Sequence, residues 1–167
     1  MKLYGTHGGS GVALLAQAAA DAWGLSPLPP LERTETGKPF FPKNPQHHFN
    51  LSHSGGLVLC ALSAHPVGVD IEVMKPRRPA LPRQALTAEE FACYQALGGD
   101  WPAFYTLWTR KEAWCKYSGL GLGQQWGKTP PEHEHFRSYA GETWRAAAWG
   151  EEPPPEQIIW LKGDHSL

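Results

Sequence analysis

Between Leu25 and Pro45 the sequence sets prolines at Pro27, Pro29, Pro30, Pro39, Pro42 and Pro45. Proline has no backbone N–H and a locked φ, so this stretch cannot hold a helix interior or a central strand and must run as loops and edge segments. Regular structure is thereby confined to either side of it. Before it, Lys2-Leu3-Tyr4 predicts a short strand. The alanine-rich run from Ser10 to Trp23 predicts a helix with Ser10 as its cap and Gly24 as its stop.

After it, His48–Ser52 and Leu57–Ser63 predict two strands joined by a turn at Gly55-Gly56. Val67-Gly68-Val69-Asp70-Ile71-Glu72-Val73 follows a short His-Pro turn and alternates with the period of a strand. Met74 to Pro82 reads as a basic, proline-broken loop. Thr87 with Glu90 forms a capping-box signature for a helix that runs to about Leu97. Asp100 caps a further helix, tolerating Pro102 in its first turn, and Gly119 closes it. Three more strands are expected near His135–Tyr139, Thr143–Trp149 and Gln157–Leu161. A strand, helix, strands order thus occurs before Pro66 and again after it, which predicts an α+β fold of two halves, residues 1–66 and 67–167.

A chain of 167 residues can bury an adequate core without a metal or disulfide staple. Fifteen Lys and Arg against sixteen Asp and Glu leave a net charge of −1, so neither a nucleic-acid coat nor a polybasic membrane binder is expected. Cys60, Cys93 and Cys115 are odd in number and widely spaced, which excludes a disulfide framework and a CxxC metal pair and predicts a reducing compartment, the cytoplasm. The apolar stretch Val12–Ala22 carries Gln17 and Asp21 and has no basic leader, so it is expected to be neither a signal peptide nor a membrane span.

Three segments could carry chemistry. In Asp70-Ile71-Glu72, two carboxylates share one strand face, an arrangement that repels itself unless it is solvated or holds a cation. A hard divalent cation would suit these oxygens, but for the pair alone an exposed face carrying two solvated acids is the simpler account. In Trp108-Thr109-Arg110-Lys111-Glu112-Ala113-Trp114-Cys115-Lys116, Glu112 and Lys116 lie four apart on one helix face. Spacing alone does not separate a surface ion pair from a carboxylate ligand beside a phosphate-binding ammonium. In Phe49-Asn50-Leu51-Ser52-His53-Ser54-Gly55-Gly56, hydroxyls, an imidazole and freed backbone N–H groups could cradle a phosphate, or simply form a hairpin turn. A Ser–His nucleophile is disfavoured, because Ser52 and Ser54 flank His53 directly and adjacent strand residues face opposite sides. The glycine-rich Gly5–Gly11 segment has neither P-loop nor dinucleotide-fold spacing, and the histidines His7, His47, His48, His133, His135 and His165 form no zinc motif.

Taken together and in order, these segments become distinctive. Gly37-Lys38-Pro39 with Phe41-Pro42, then Phe49–Ser54, then Gly68–Glu72, then Trp108–Ala113 with Lys116 and Gly119-Leu120-Gly121 cover Thr36 to Leu122. In this the chain resembles the Sfp-type 4′-phosphopantetheinyl transferases. The resemblance implies two similar α/β halves packed as a pseudo-dimer, with an inter-half cleft that a monomer can form. It implies Mg²⁺ on Asp70, Glu72 and Glu112, coenzyme A contacts from Lys38, Ser52, His53, Lys111 and Lys116, and catalytic roles for Glu112, Lys116 and His53. Glu90 matches a glutamate that relatives carry between the two acidic motifs. Only Lys2 and Arg33 supply basic side chains before Gly37, fewer than in relatives with a long N-terminal half.

The expected reaction is transfer of the 4′-phosphopantetheine arm of coenzyme A to a serine of an apo acyl or peptidyl carrier protein, releasing adenosine 3′,5′-bisphosphate. The basic stretch Lys75, Arg77, Arg78 and Arg83 could meet an acidic carrier surface or be a solvated loop. Two other classes stay open: a catalytically silent coenzyme A or carrier-protein binding module, and an unrelated Mg²⁺-dependent phosphohydrolase.

Overall fold

The computed structural model describes residues 1–120, 123, 125, 127–132 and 135–162. Of the positions singled out above, Gly121, Leu122, His133 and His165 lie outside them. The chain runs β1 (Lys2–His7), α1 (Gly11–Trp23), β2 (Glu32–Arg33), β3 (Pro39–Phe40), β4 (His48–Ser54), β5 (Leu57–Ser63), β6 (Val67–Val73), α2 (Leu81–Ala85), α3 (Ala88–Ala96), α4 (Trp101–Ser118), β7 (Phe136–Ala140), β8 (Trp144–Gly150) and β9 (Ile159–Leu161). This is the expected α+β class.

Two sheets carry the architecture. The first has the order β4-β5-β1-β9, antiparallel except where β9 lies parallel to β1. The second, β6-β8-β7, is antiparallel throughout. Side-chain alternation explains how they stack. On β5, Leu57, Leu59 and Ala61 join Val67, Val69, Ile71, Ala146 and Ala148 in a core shared by both sheets, whereas Val58, Cys60 and Leu62 face the other way onto Leu14, Leu15 and Ala18 of α1. Buried on both faces, β5 has no polar side and reads as a continuous apolar run. Across the second sheet, Ala147 and Trp149 of β8 pack on Ala113 of α4. A smaller cluster of Ala85, Leu86, Phe104, Tyr105 and Leu107 ties α2 to α4.

The punctuation residues act as read. Ser10 accepts from the Ala13 N–H at 3.1 Å and Gly24 ends α1 at φ 67°. Gly55 and Gly56 both take positive φ, which the tight hairpin between β4 and β5 requires. Thr87 and Glu90 complete their capping box, and Asp100 accepts from the Ala103 N–H at 2.9 Å. Two features depart from expectation. The basic loop gives way to α2, whose first turn contains Pro82, a position where the missing N–H has no partner to lose. And β9, though last in the chain, completes the first sheet beside β1.

Candidate active site

The site is built on a seam between the two sheets. Strand β4 lies alongside β6 without backbone pairing, and the N–H groups on that edge of β6 find side chains instead. The Val69 N–H donates to Asn50 Oδ1 at 2.9 Å, the Ile71 N–H to Ser52 Oγ at 3.2 Å, and the Val73 N–H to Ser54 Oγ at 3.1 Å. Period-two spacing puts Asn50, Ser52 and Ser54 on one face of β4, so three short polar side chains satisfy donors that would otherwise be buried and unpaired. Each serine proton then goes to an acid: Ser52 Oγ to Asp70 Oδ1 at 2.8 Å, and Ser54 Oγ to Glu72 Oε2 at 2.7 Å. The same alternation aims both acids away from the core that takes Val69 and Ile71.

Helix α4 closes the site from the other side. It can approach β6 this closely because residue 68 is glycine: a Cβ there would lie 2.1 Å from the Ala113 carbonyl oxygen and 2.3 Å from the Tyr117 nitrogen. The same turns of the helix, one residue earlier in each, bring Glu112 near the acids and Lys116 onto Asp70. Lys116 Nζ reaches Asp70 Oδ1 at 2.8 Å and Ser52 Oγ at 3.1 Å. Lys38 adds a strut, its Nζ donating to the Val67 carbonyl at 3.2 Å and the Lys116 carbonyl at 2.9 Å. The second of these is among the last carbonyls of α4, which lack partners within the helix and favour a cation. The cleft is walled by the loop Thr36–Pro39, by Asn50, and by Glu112, Cys115, Lys116 and Gly119.

The electrostatics are those of a crowded acidic site. Asp70 is 4% exposed, and burial pushes its carboxyl up against the opposing pull of Lys116 and Ser52. Burial likewise raises Glu72, with Ser54 pulling it back. Burial, and then the Asp70 charge, push Glu112 up to about 7. Asp70 Oδ2 is buried and has no hydrogen-bond partner among the described residues. Among the described residues no group of three or more His, Cys, Asp or Glu side chains is placed so that it could hold a metal ion as it stands.

Lys38, Ser52, Asp70, Glu72, Glu112 and Lys116 therefore lie around one site, and Lys111 and His53 lie apart from it. Lys111 is a correction: its side chain is 0% exposed, and Nζ donates to Glu90 Oε2 at 2.6 Å, inside the structure and away from the cleft. One residue before Glu112, it falls on a different helix face, and it joins α4 to the capping box of α3. That pairing also gives Glu90 its place. His53 is placed apart from the acids. It is exposed and lies on the side of β4 that carries Phe49 and Leu51, opposite the serines that reach β6. Asn50, Ser54 and Gly68 sit in the motifs read from the sequence, where Asn50 and Ser54 are not marked as partners of β6, nor Gly68 as the contact point of α4. The polar alternation Asn50, Ser52, Ser54 is the signal that could have found the first two.

Comparison with known proteins places the chain in a family. Residues 66–152 match the family model of the 4′-phosphopantetheinyl transferase superfamily. A 4′-phosphopantetheinyl transferase of Bacillus subtilis is 40% identical over 115 residues, 67% of this chain and 51% of that protein. The 4′-phosphopantetheinyl transferase psf-1 of Bacillus pumilus is 41% identical over 97 residues, 54% of this chain and 40% of that protein. The 4′-phosphopantetheinyl transferase AcpT of Salmonella typhi is 40% identical over 107 residues, 61% of this chain and 54% of that protein. The chain thus spans about half the length of these relatives. The matched segment begins at the turn before β6 and runs through α4 to the end of β8, so it contains both elements that bring acids to the cleft, and the chain belongs to the 4′-phosphopantetheinyl transferase superfamily.

Proposed function

We propose that this protein transfers the 4′-phosphopantetheine arm of coenzyme A to a serine hydroxyl of an acyl or peptidyl carrier protein, with adenosine 3′,5′-bisphosphate as the leaving group. The observation that carries this reading is the convergence of Asp70 and Glu72 from β6 with Glu112 and Lys116 from α4 at one cleft. We read the two sheet-and-helix units as halves of a pseudo-dimer and the cleft as their junction within a monomer. The three cysteines are all free, in keeping with action in the cytoplasm.

The donor set fits Mg²⁺. That ion keeps several waters and is held by one or two carboxylates together with substrate phosphates, so a closed protein cage is not required. Asp70 Oδ2 is a buried oxygen without a partner among the described residues, and Asp70, Glu72 and Glu112 outnumber the ammonium of Lys116. Asp70 would be the principal ligand, with Glu72 and Glu112 beside it. When bound, the ion would supply positive charge against the diphosphate of coenzyme A.

The remaining work falls to this chain's own side chains. Lys116 would donate to a phosphate oxygen, a charge-assisted bond that strengthens as negative charge builds on the departing group. Glu112, with its affinity for protons raised to near neutrality, would take the proton of the incoming serine on a carboxylate oxygen as the new phosphorus–oxygen bond forms. Lys38 would hold the cofactor side of the cleft, and Ser52 would keep Asp70 oriented.

Incubating the protein with apo carrier protein, coenzyme A and Mg²⁺ and weighing the products tests the reading. Addition of one phosphopantetheine to the carrier is expected, and Asp70→Ala should abolish it while leaving the circular dichroism spectrum unchanged. Binding of coenzyme A without transfer would identify a silent binding module, and cleavage of coenzyme A without transfer a phosphohydrolase.

A further inference from the structure

Lys116 occupies the position that a cation would be expected to take. Its ammonium sits 2.8 Å from Asp70 Oδ1 and 3.1 Å from Ser52 Oγ, at a carboxylate that is almost completely buried. The two partners differ in freedom. Asp70 is fixed by the strand, by Ser52 and by the core beneath it, whereas the lysine side chain is 29% exposed and is carried on a flexible stem above the cleft. Without a positive neighbour, Asp70 would be an uncompensated buried charge next to two further carboxylates. A second cation arriving at Asp70 would meet the ammonium at close range, where like charges repel strongly.

We propose that Lys116 is the resident counter-ion of the acidic site, holding Asp70 in the absence of a divalent cation, and that cation entry displaces its ammonium from Asp70 into the cleft, where an anionic substrate group can take it. This rests on reading the acids as a divalent-cation site. By linkage the coupling is reciprocal: a diphosphate that draws Lys116 away tightens cation binding, and the cation tightens diphosphate binding. Lys116 thereby connects the two ligands, and the site assembles fully only when both are present.

Two measurements without carrier protein test this. Mn²⁺ titrated into the coenzyme A-free protein and followed by electron paramagnetic resonance should bind Lys116→Met about tenfold more tightly than the unaltered protein, within the usual range of coupling between sites. In the unaltered protein, labelling by an N-hydroxysuccinimide ester should modify Lys116 severalfold faster with Mg²⁺ than in sodium chloride of equal ionic strength. Lys2, with its side chain 51% exposed, is the internal control and should not change. Equal Mn²⁺ affinity in the two proteins, or a labelling rate at Lys116 that Mg²⁺ leaves unchanged, overturns the displacement while the metal site stands. Failure of both proteins to bind Mn²⁺ overturns the displacement and the metal site together. Should Lys116→Met fail to fold, labelling of the unaltered protein decides, with its own Mn²⁺ titration showing whether the site binds a metal.

Discussion

At the scale of single residues, the site opposes the stability of the fold. Glu112 has its proton affinity raised to about 7, chiefly by burial and then by the Asp70 charge. A carboxyl whose folded-state value lies above its unfolded value makes no unfavourable contribution below the unfolded value. It becomes steadily more destabilising as the pH rises from about 4.5 to about 7, and the penalty stays constant above that. Glu112→Gln removes the ionised form while keeping the shape. It should therefore raise the melting temperature at pH 8 by roughly 2–4 °C, a gain that shrinks as the pH is lowered toward 4.5, and it should abolish transfer. Thermal melts of both proteins across that range, without divalent cation, check the sign. A variant no more stable than its parent at pH 8 would show that Glu112 is not held under strain. Sequence could not reveal this, because Glu112 and Lys116 at four residues apart look the same whether they lie on a wet surface or over a buried aspartate. Lys111 shows the converse: its motif made it a ligand for the cofactor, and only the packing of α3 on α4 directs its ammonium to Glu90.

At the scale of elements, most of the fold was legible. Period-two alternation located β4 and β6, the apolar run after Gly55-Gly56 located β5, and Ser10, Gly24, Thr87, Asp100 and Gly119 set the ends of α1, α3 and α4 because caps act locally. What stayed hidden was contact between elements distant in sequence: β9 beside β1, and the seam where Asn50, Ser52 and Ser54 take the place of a strand partner for β6. Gly68 belongs to this class. Nothing local distinguishes it from any strand glycine, yet its missing side chain sets the distance between β6 and α4. Gly68→Ala would drive a methyl group into the backbone of residues 113 and 117, which cannot rotate aside as a side chain would, so the helix must move. Overpacking of this kind typically costs about 1–3 kcal/mol. The displacement should also carry Glu112 and Lys116 off Asp70, and a misplacement near 1 Å can lower a rate by about 10²-fold. Steady-state transfer measured well below the variant's melting temperature should thus fall far more than its stability accounts for. A rate close to the parent's would show that the site tolerates a looser helix.

At the scale of the whole molecule, a net charge of −1 provides no long-range attraction for an acidic carrier protein, so any steering must come from a local patch. The segment after β6 supplies one, and the structure divides its four basic side chains by what they already do. Arg77 Nε donates to the Tyr105 hydroxyl at 3.3 Å, and that hydroxyl donates in turn to the Lys75 carbonyl at 3.1 Å, which anchors the segment to α4. Arg83 lies over the Phe91 ring at 4.4 Å. Arg77 and Arg78 line a shallow groove with Pro76 and Leu81, and the segment leads directly from Glu72. A carrier held there would be docked beside the acidic end of the cleft. Exposed charges of this kind act mainly on encounter, so the double change Arg77→Glu and Arg78→Glu should lower kcat/KM for the carrier by roughly tenfold at low salt, with little change in kcat. Raising the ionic strength should slow the unaltered protein toward the variant, because screening removes the same attraction that the substitutions reverse. The KM for coenzyme A should not move, since neither arginine lines the cleft that Lys38 and Lys116 close. If the two proteins keep the same kcat/KM and the same salt dependence, the groove is a solvated loop and carrier docking takes place on another face.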